Sequence, residues 1–227
     1  MYMSPNFNNA ALVHAYGDWI IHEASEGRIP YYINIMFEPL HRPGSSVMSQ
    51  MSDAVYASKG SFYGKLCSRF DKHPGRKGRN RFLPHAFLFF DLPVFKYQKR
   101  QPLRDVIING GVHVNGVMMI PSESRMRDEF AEHIGEKRAL YAQNGIKRIH
   151  VQPVTHGVHR VTDYAMKALK EGRVDWDTAI ILPRSYAELR SDRLRIDPHA
   201  RAIKDIQAAS NVSDETAEHI HHSSITK

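Results

Sequence analysis

The chain has 227 residues, 42% hydrophobic and 24% charged, enough for one globular domain of ordinary size with appendages. Its 31 Lys and Arg against 24 Asp and Glu give a net charge of +7, a balance that favours polyanionic partners: nucleic acid or an anionic membrane surface. The single cysteine, Cys67, excludes an intramolecular disulfide and a cysteine-based zinc cage. No stretch approaches the ~18 apolar residues of a membrane span, and Met1 to Asn9 lacks an apolar signal core, so a cytoplasmic protein without a membrane partner is expected.

In chain order, Leu12, Val13, Tyr16, Trp19 and Ile20 recur at helical spacing over 10–26, and Gly27 is a plausible stop. Pro30 introduces a first strand, Tyr31 to Glu38, ended by Pro39. After a Pro/Gly loop, 47–70 reads as one long helix weakened by Gly60 and Gly64. The stretch 73–81 is a basic loop whose Arg76, Lys77, Arg79 and Arg81 suit contact with DNA phosphates, or else form a merely solvated surface. A second strand, 82–92, is apolar and aromatic; a polar excursion, 93–111, separates it from the third, 112–120. A charged amphipathic helix, 123–144, ends at Gly145 and a fourth strand spans 146–154. A further helix then carries Val161, Ala165, Ala168 and Leu169 on its packing side, and 176–182 spells another strand. From Asp192 the chain is polar and low in aromatics, suited to surface helices or disorder. The order β-α-β-β-α-β-α, with a hairpin at its centre, predicts an α+β sandwich: one antiparallel sheet with helices packed on it.

The third strand carries the chemistry. In Gly111-Val112-His113-Val114-Asn115-Gly116-Val117, His113 and Asn115 are two apart and share a face, presenting an imidazole nitrogen and an amide oxygen. In a hairpin the end of the second strand lies beside the start of the third, so Asp91 is expected to approach His113. Asp91, His113 and Asn115 make a set dominated by hard oxygens, suited to Mg²⁺ or Mn²⁺ rather than zinc. The alternative is a turn at Asn115-Gly116 and a solvated His113, which the apolar run after Gly116 opposes. Downstream, Tyr164 and Lys167 stand three apart on one helix, so the ammonium can activate a phenol for attack on a phosphodiester. A packing tyrosine is the plainer interpretation of that pair. Gln152, two residues from His150 on the fourth strand, is placed to line the same site or touch a phosphate. His219-Ile220-His221 lies in the polar tail without a strand around it. Gly60 to Leu66 is too short, and lacks the Ser or Thr after Lys65, to be a phosphate-binding loop, so no motor is expected.

Together these segments resemble the HUH endonuclease superfamily, specifically rolling-circle replication initiators of plasmids and single-stranded DNA phages. The resemblance covers about Tyr32 to Lys170 in three motifs: Ile33-Asn34-Ile35-Met36-Phe37, then Val112-His113-Val114-Asn115-Gly116, then Tyr164-Ala165-Met166-Lys167. It implies a ferredoxin-like antiparallel sheet over 31–190, flanked by a helical extension (1–30) and a polar tail (191–227). It also implies His113, Asn115 and Asp91 as ligands of Mg²⁺ or Mn²⁺, Tyr164 as nucleophile and Lys167 as its helper. Asn115 departs from the family, standing where a second histidine is usual, although some viral members carry Gln there. The implied activity is nicking and rejoining of single-stranded or hairpin origin DNA, with a host helicase and polymerase as partners. A non-cleaving DNA-binding relative and a transposase of the same superfamily are the alternatives.

Overall fold

The computed structural model describes residues 9–76, 78–92 and 108–185. Every element below lies in the compact unit Met1–Pro183; of the second unit, Arg184–Lys227, it describes Arg184 and Ser185. Lys77, most of the polar excursion and the tail 191–227 with His219 and His221 lie outside the described residues.

Five strands form one sheet: β1 (Ile29–Phe37), β2 (His85–Asp91), β3 (His113–Ile120), β4 (Ile146–Pro153) and β5 (Ile180–Leu182), in the order β4-β1-β3-β2-β5 with every pair antiparallel. The fold is α+β. β3 is central, so its backbone groups pair on both sides and its side chains are held by neighbours on both flanks. Gly116 is required there, because a Cβ would sit 2.2 Å from the Phe87 carbonyl oxygen. Asn115-Gly116 is therefore strand and not turn.

Seven helices accompany the sheet among the described residues: α1 (Asn9–Ser25), α2 (Val47–Tyr56), α3 (Phe62–Phe70), α4 (Phe130–Glu136), α5 (Arg138–Tyr141), α6 (Val158–Ala165) and α7 (Lys167–Lys170). Period-two alternation divides the strands cleanly. Tyr31, Ile33, Ile35 and Phe37 point to one face, where Tyr31 meets Phe130 of α4 edge to face at 5.1 Å. Tyr32, Asn34, Phe87, Phe89, Asp91, His113 and Asn115 share the other face, which α1, α6 and α7 cover. There Trp19 and Tyr16 of α1 pack edge to face on Phe87 and Phe89, at 4.9 and 5.6 Å. Among the described residues no helix is long and apolar enough to cross a membrane.

Three expected helices differ. The one expected to carry both Tyr164 and Lys167 is two, α6 ending at Ala165 and α7 starting at Lys167, with Met166 between them at φ −93°, ψ 11°. The single helix over 47–70 is two, because Ser61 restarts the chain by accepting from the Gly64 amide, and a Cβ on Gly64 would lie 2.3 Å from the Ser58 carbonyl. The helix expected over 123–144 begins only at Phe130, where Glu129 caps it by accepting from the Glu132 amide, and breaks at Lys137. Before Phe130 the sequence is polar and offers no apolar stripe to bury. The strand expected over 176–182 is a 3₁₀ turn, Trp176–Thr178, followed by the short β5.

At the far end of β2 a polar knot joins α1 to the sheet. Arg28 donates to the carbonyls of Leu83, Met119 and Arg81, and pairs with Glu23 at 2.9 Å. His85 Nε2 lies 3.0 Å from Arg28 Nη2, and its Nδ1 lies 2.9 Å from Glu23. A guanidinium only donates, so Nε2 keeps its lone pair and Nδ1–H faces the carboxylate. Burial, followed by the Arg28 charge, lowers the His85 pKa. The unfolded chain thus takes up this proton first as pH falls. Stability should be full above about pH 6.5 and decline below it until the folded imidazole also protonates. Urea midpoints at pH 7.5 and 5.5 should differ more for the wild type than for His85→Gln; equal differences would refute this.

Candidate active site

Asp91 and His113 are Cα partners across β2 and β3, and Asn115 pairs with Asn34 across β3 and β1. The expected approach of Asp91 to His113 is present, with Asp91 Oδ2 3.7 Å from His113 Nε2. The carboxylate is 4% exposed and Asn115 1%. Lys167 Nζ lies 3.6 Å from Asp91 Oδ2, and Arg173 Nη2 3.7 Å from Oδ1. Arg173 also donates through Nη1 to the Leu92 carbonyl at 3.0 Å, which anchors it at the end of β2. A buried acid thus faces an imidazole and two cations. Asp91 Oδ1 and Arg173 Nη2 are nevertheless buried without a hydrogen-bond partner, which is unusual for buried polar atoms and suits a site that completes its bonds with a ligand.

His113 has one ring nitrogen tied to the backbone. Its Nδ1 lies 3.1 Å from the Gly111 carbonyl oxygen and donates to it, so Nε2 presents its lone pair on the Asp91 side. Asn115 behaves differently from the sequence expectation. Its Oδ1 accepts from the Tyr32 hydroxyl at 2.9 Å and Asn34 Nδ2 at 2.6 Å, while its Nδ2 donates to Asp91 Oδ2 at 3.1 Å. A carboxylate only accepts, so the amide turns its NH₂ toward it. Service as an oxygen ligand requires the amide to turn over, with Asn34 Oδ1 and the Tyr32 hydroxyl accepting instead. Asp91 Oδ2 and His113 Nε2 are thus two candidate ligands 3.7 Å apart, with the Lys167 ammonium and the Asn115 NH₂ at the same carboxylate oxygen, and Asn115 could join them only after that rotation.

Tyr164 is 55% exposed, far more than a packing tyrosine requires. Its ring lies 6.2 Å from that of Tyr32, and Lys167 Nζ lies 5.8 Å from its centroid. The ammonium is thus within reach of both the phenol ring and Asp91. Burial, then the neighbouring Tyr164 and Asp91, push the Tyr32 phenol well above its ordinary pKa, so it stays a donor to Asn115. Gln152, Thr155, His156 and Arg160 join Tyr32 and Tyr164 around an open cleft of about 390 Å³. His113 also lines a second hollow, together with Arg138, Lys147 and Arg148.

The basic loop is not part of this constellation. It joins β2 at the His85 end, six residues from Asp91, or roughly 20 Å at about 3.4 Å per residue. Arg79 pairs with Asp71, and Arg79 and Arg81 lie over the Phe82 ring at 4.4 and 4.5 Å. Arg76 is exposed there.

Sequence reasoning missed Tyr32, Asn34 and Arg173. Asn34 carried a signal, a polar residue inside the alternating Tyr32-Ile33-Asn34-Ile35. It also missed a separate cluster, His14, Asp18 and His159, all exposed, with ligand atoms within 4.8 Å of one another; it could hold a metal ion. No protein-family model, curated protein or solved structure matches the chain.

Proposed function

We propose that this protein nicks and rejoins single-stranded DNA through a 5′-phosphotyrosyl intermediate and starts rolling-circle replication in the manner of HUH endonucleases. The observation that carries this is the exposed Tyr164 beside Lys167, whose ammonium also touches the Asp91–His113 pair on two central strands. Within the five-stranded sheet the order β4-β1-β3-β2, with β1 and β2 parallel across β3, is compatible with a ferredoxin-like arrangement and supports the same assignment. Cations line both neighbouring hollows, Arg160 in the tyrosine cleft and Arg138, Lys147 and Arg148 in the one that His113 also lines, which suits a bound phosphate backbone.

In the reaction the Tyr164 oxygen attacks a phosphorus and its proton passes to solvent. The bond to the 3′ oxygen breaks, and that oxygen takes up a proton to become the primer hydroxyl for a host polymerase. The reverse attack rejoins the strand. Lys167 stabilises the phenolate with its positive charge. Mg²⁺ or Mn²⁺ held by Asp91 and His113, and by Asn115 with its amide turned, would stabilise charge on the phosphate oxygens. Unwinding falls to a host helicase. Incubation with single-stranded DNA and Mn²⁺ should yield a protein–DNA adduct that survives boiling in detergent; no adduct across a panel of hairpin and linear origins would overturn the proposal.

One observation favours a second interpretation, a non-cleaving DNA-binding relative. Asn115 gives Asp91 its NH₂, and Lys167 and Arg173 already neutralise the acid. Wild type and Asn115→His that both bind single strands, yet neither of which forms an adduct, would establish it.

Binding should weaken steeply with salt. Replacing Arg138, Lys147 and Arg148 by Ser should reduce the slope of log K against log salt by about 2, from roughly 0.7 per phosphate contact. The same change at Arg76, Lys77, Arg79 and Arg81 should reduce it less. The opposite ranking would move the DNA path to the basic loop.

A further inference from the structure

We infer that His14, Asp18 and His159 form a transition-metal site, of the kind zinc occupies, that fastens α1 to the tyrosine helix α6. His14 and Asp18 stand one turn apart on α1, with Nδ1 and Oδ2 2.9 Å from each other. His159, in the first turn of α6, meets the His14 ring edge to face with centroids 5.6 Å apart.

The seat for His159 is built into α1. A Cβ on Gly17 would lie 3.3 Å from both Cε1 and Nε2 of the His159 ring, tighter than ordinary contact. Glycine weakens a helix interior, and its presence at this point lets the imidazole settle against the α1 backbone beside His14 and Asp18.

The donor set selects the metal. Two imidazole nitrogens and one carboxylate oxygen suit zinc, copper or nickel, whereas magnesium prefers oxygen throughout. Zinc–ligand bonds of about 2.0–2.1 Å put tetrahedral ligand atoms roughly 3.3 Å apart. The present spread of up to 4.8 Å closes by rotation of side chains that are all exposed, and water supplies the fourth position. This preference is distinct from that of the Asp91–His113 pair, so the two centres respond to different ions.

Bound metal would link residues 145 positions apart in the chain, and anchor the helix that carries Tyr164 by its first turn. The test uses the full-length protein with ZnCl₂ or MgCl₂. At a hundredfold excess over Kd, zinc should raise Tm by roughly 5 °C, and magnesium should not reproduce the effect. Hydrogen exchange should slow in α1 and α6. His14→Ala and His159→Ala should each abolish the zinc shift, and whichever DNA activity the wild type shows in magnesium should persist in both. No zinc shift in the wild type, or a shift that survives in the double variant, overturns the assignment whatever the outcome of the adduct assay.

Discussion

Tyr164→Phe should lower formation of the covalent DNA adduct by roughly 10⁴-fold or more while single-strand binding persists, as expected when a nucleophile alone is removed. The ring is retained, so its position near Tyr32 and Lys167 is retained with it. Only the phenol oxygen is lost. An adduct assay in Mn²⁺ beside a fluorescence-anisotropy titration separates the two effects. If the Phe variant still forms adduct, another tyrosine attacks. Tyr141 is not that residue: it is 1% exposed, its hydroxyl is 2.9 Å from His133 Nε2, and burial pushes its phenol up to about 12. The search would turn to Tyr186, outside the described residues.

His113→Ala should cost at least about 100-fold in metal-dependent cleavage, because it removes a lone pair whose direction the Gly111 carbonyl already fixes. Asp91→Asn should reduce cleavage too, and differently. It leaves Lys167 and Arg173 facing an amide, so the variant should also be less stable by about 1–3 kcal/mol. Cleavage rates titrated with Mn²⁺, read beside urea denaturation, distinguish a lost ligand from a weakened fold. Cleavage like that of the wild type in both variants would remove the metal from this hairpin and favour His150 and Gln152.

Much of the sheet was legible because its signals are local. Alternation in Tyr31 to Phe37 and the antiparallel hairpin rule were enough to bring Asp91 to His113. Helix α1 was equally plain, with an apolar stripe that stops at Gly27, whose φ of +88° is a conformation glycine adopts freely. What stayed hidden depends on distant chain. Arg173 reaches Asp91 across 82 positions, and nothing around either residue announces it. The orientation of the Asn115 amide is set by Tyr32 and Asn34 on a neighbouring strand, so its residue type suggested a ligand oxygen where the fold presents a donor. The break in the 47–70 helix follows from close backbone approach at Gly64, which composition registers only as two glycines.

The order in which the ribosome delivers these residues has a consequence. Tyr32, Asp91, His113 and Asn115 emerge first, and the strands that hold them can pair once β4 has followed. Lys167 and Arg173 come afterwards, on the crossover that leads to β5. A nascent chain halted at Pro153 would own four strands and Asp91 with neither of the two cations beside it, and would lack Tyr164. If Tyr164 is the nucleophile, a fragment that ends at Pro153 cannot form the proposed adduct, and the proposed chemistry waits on the segment that follows β4.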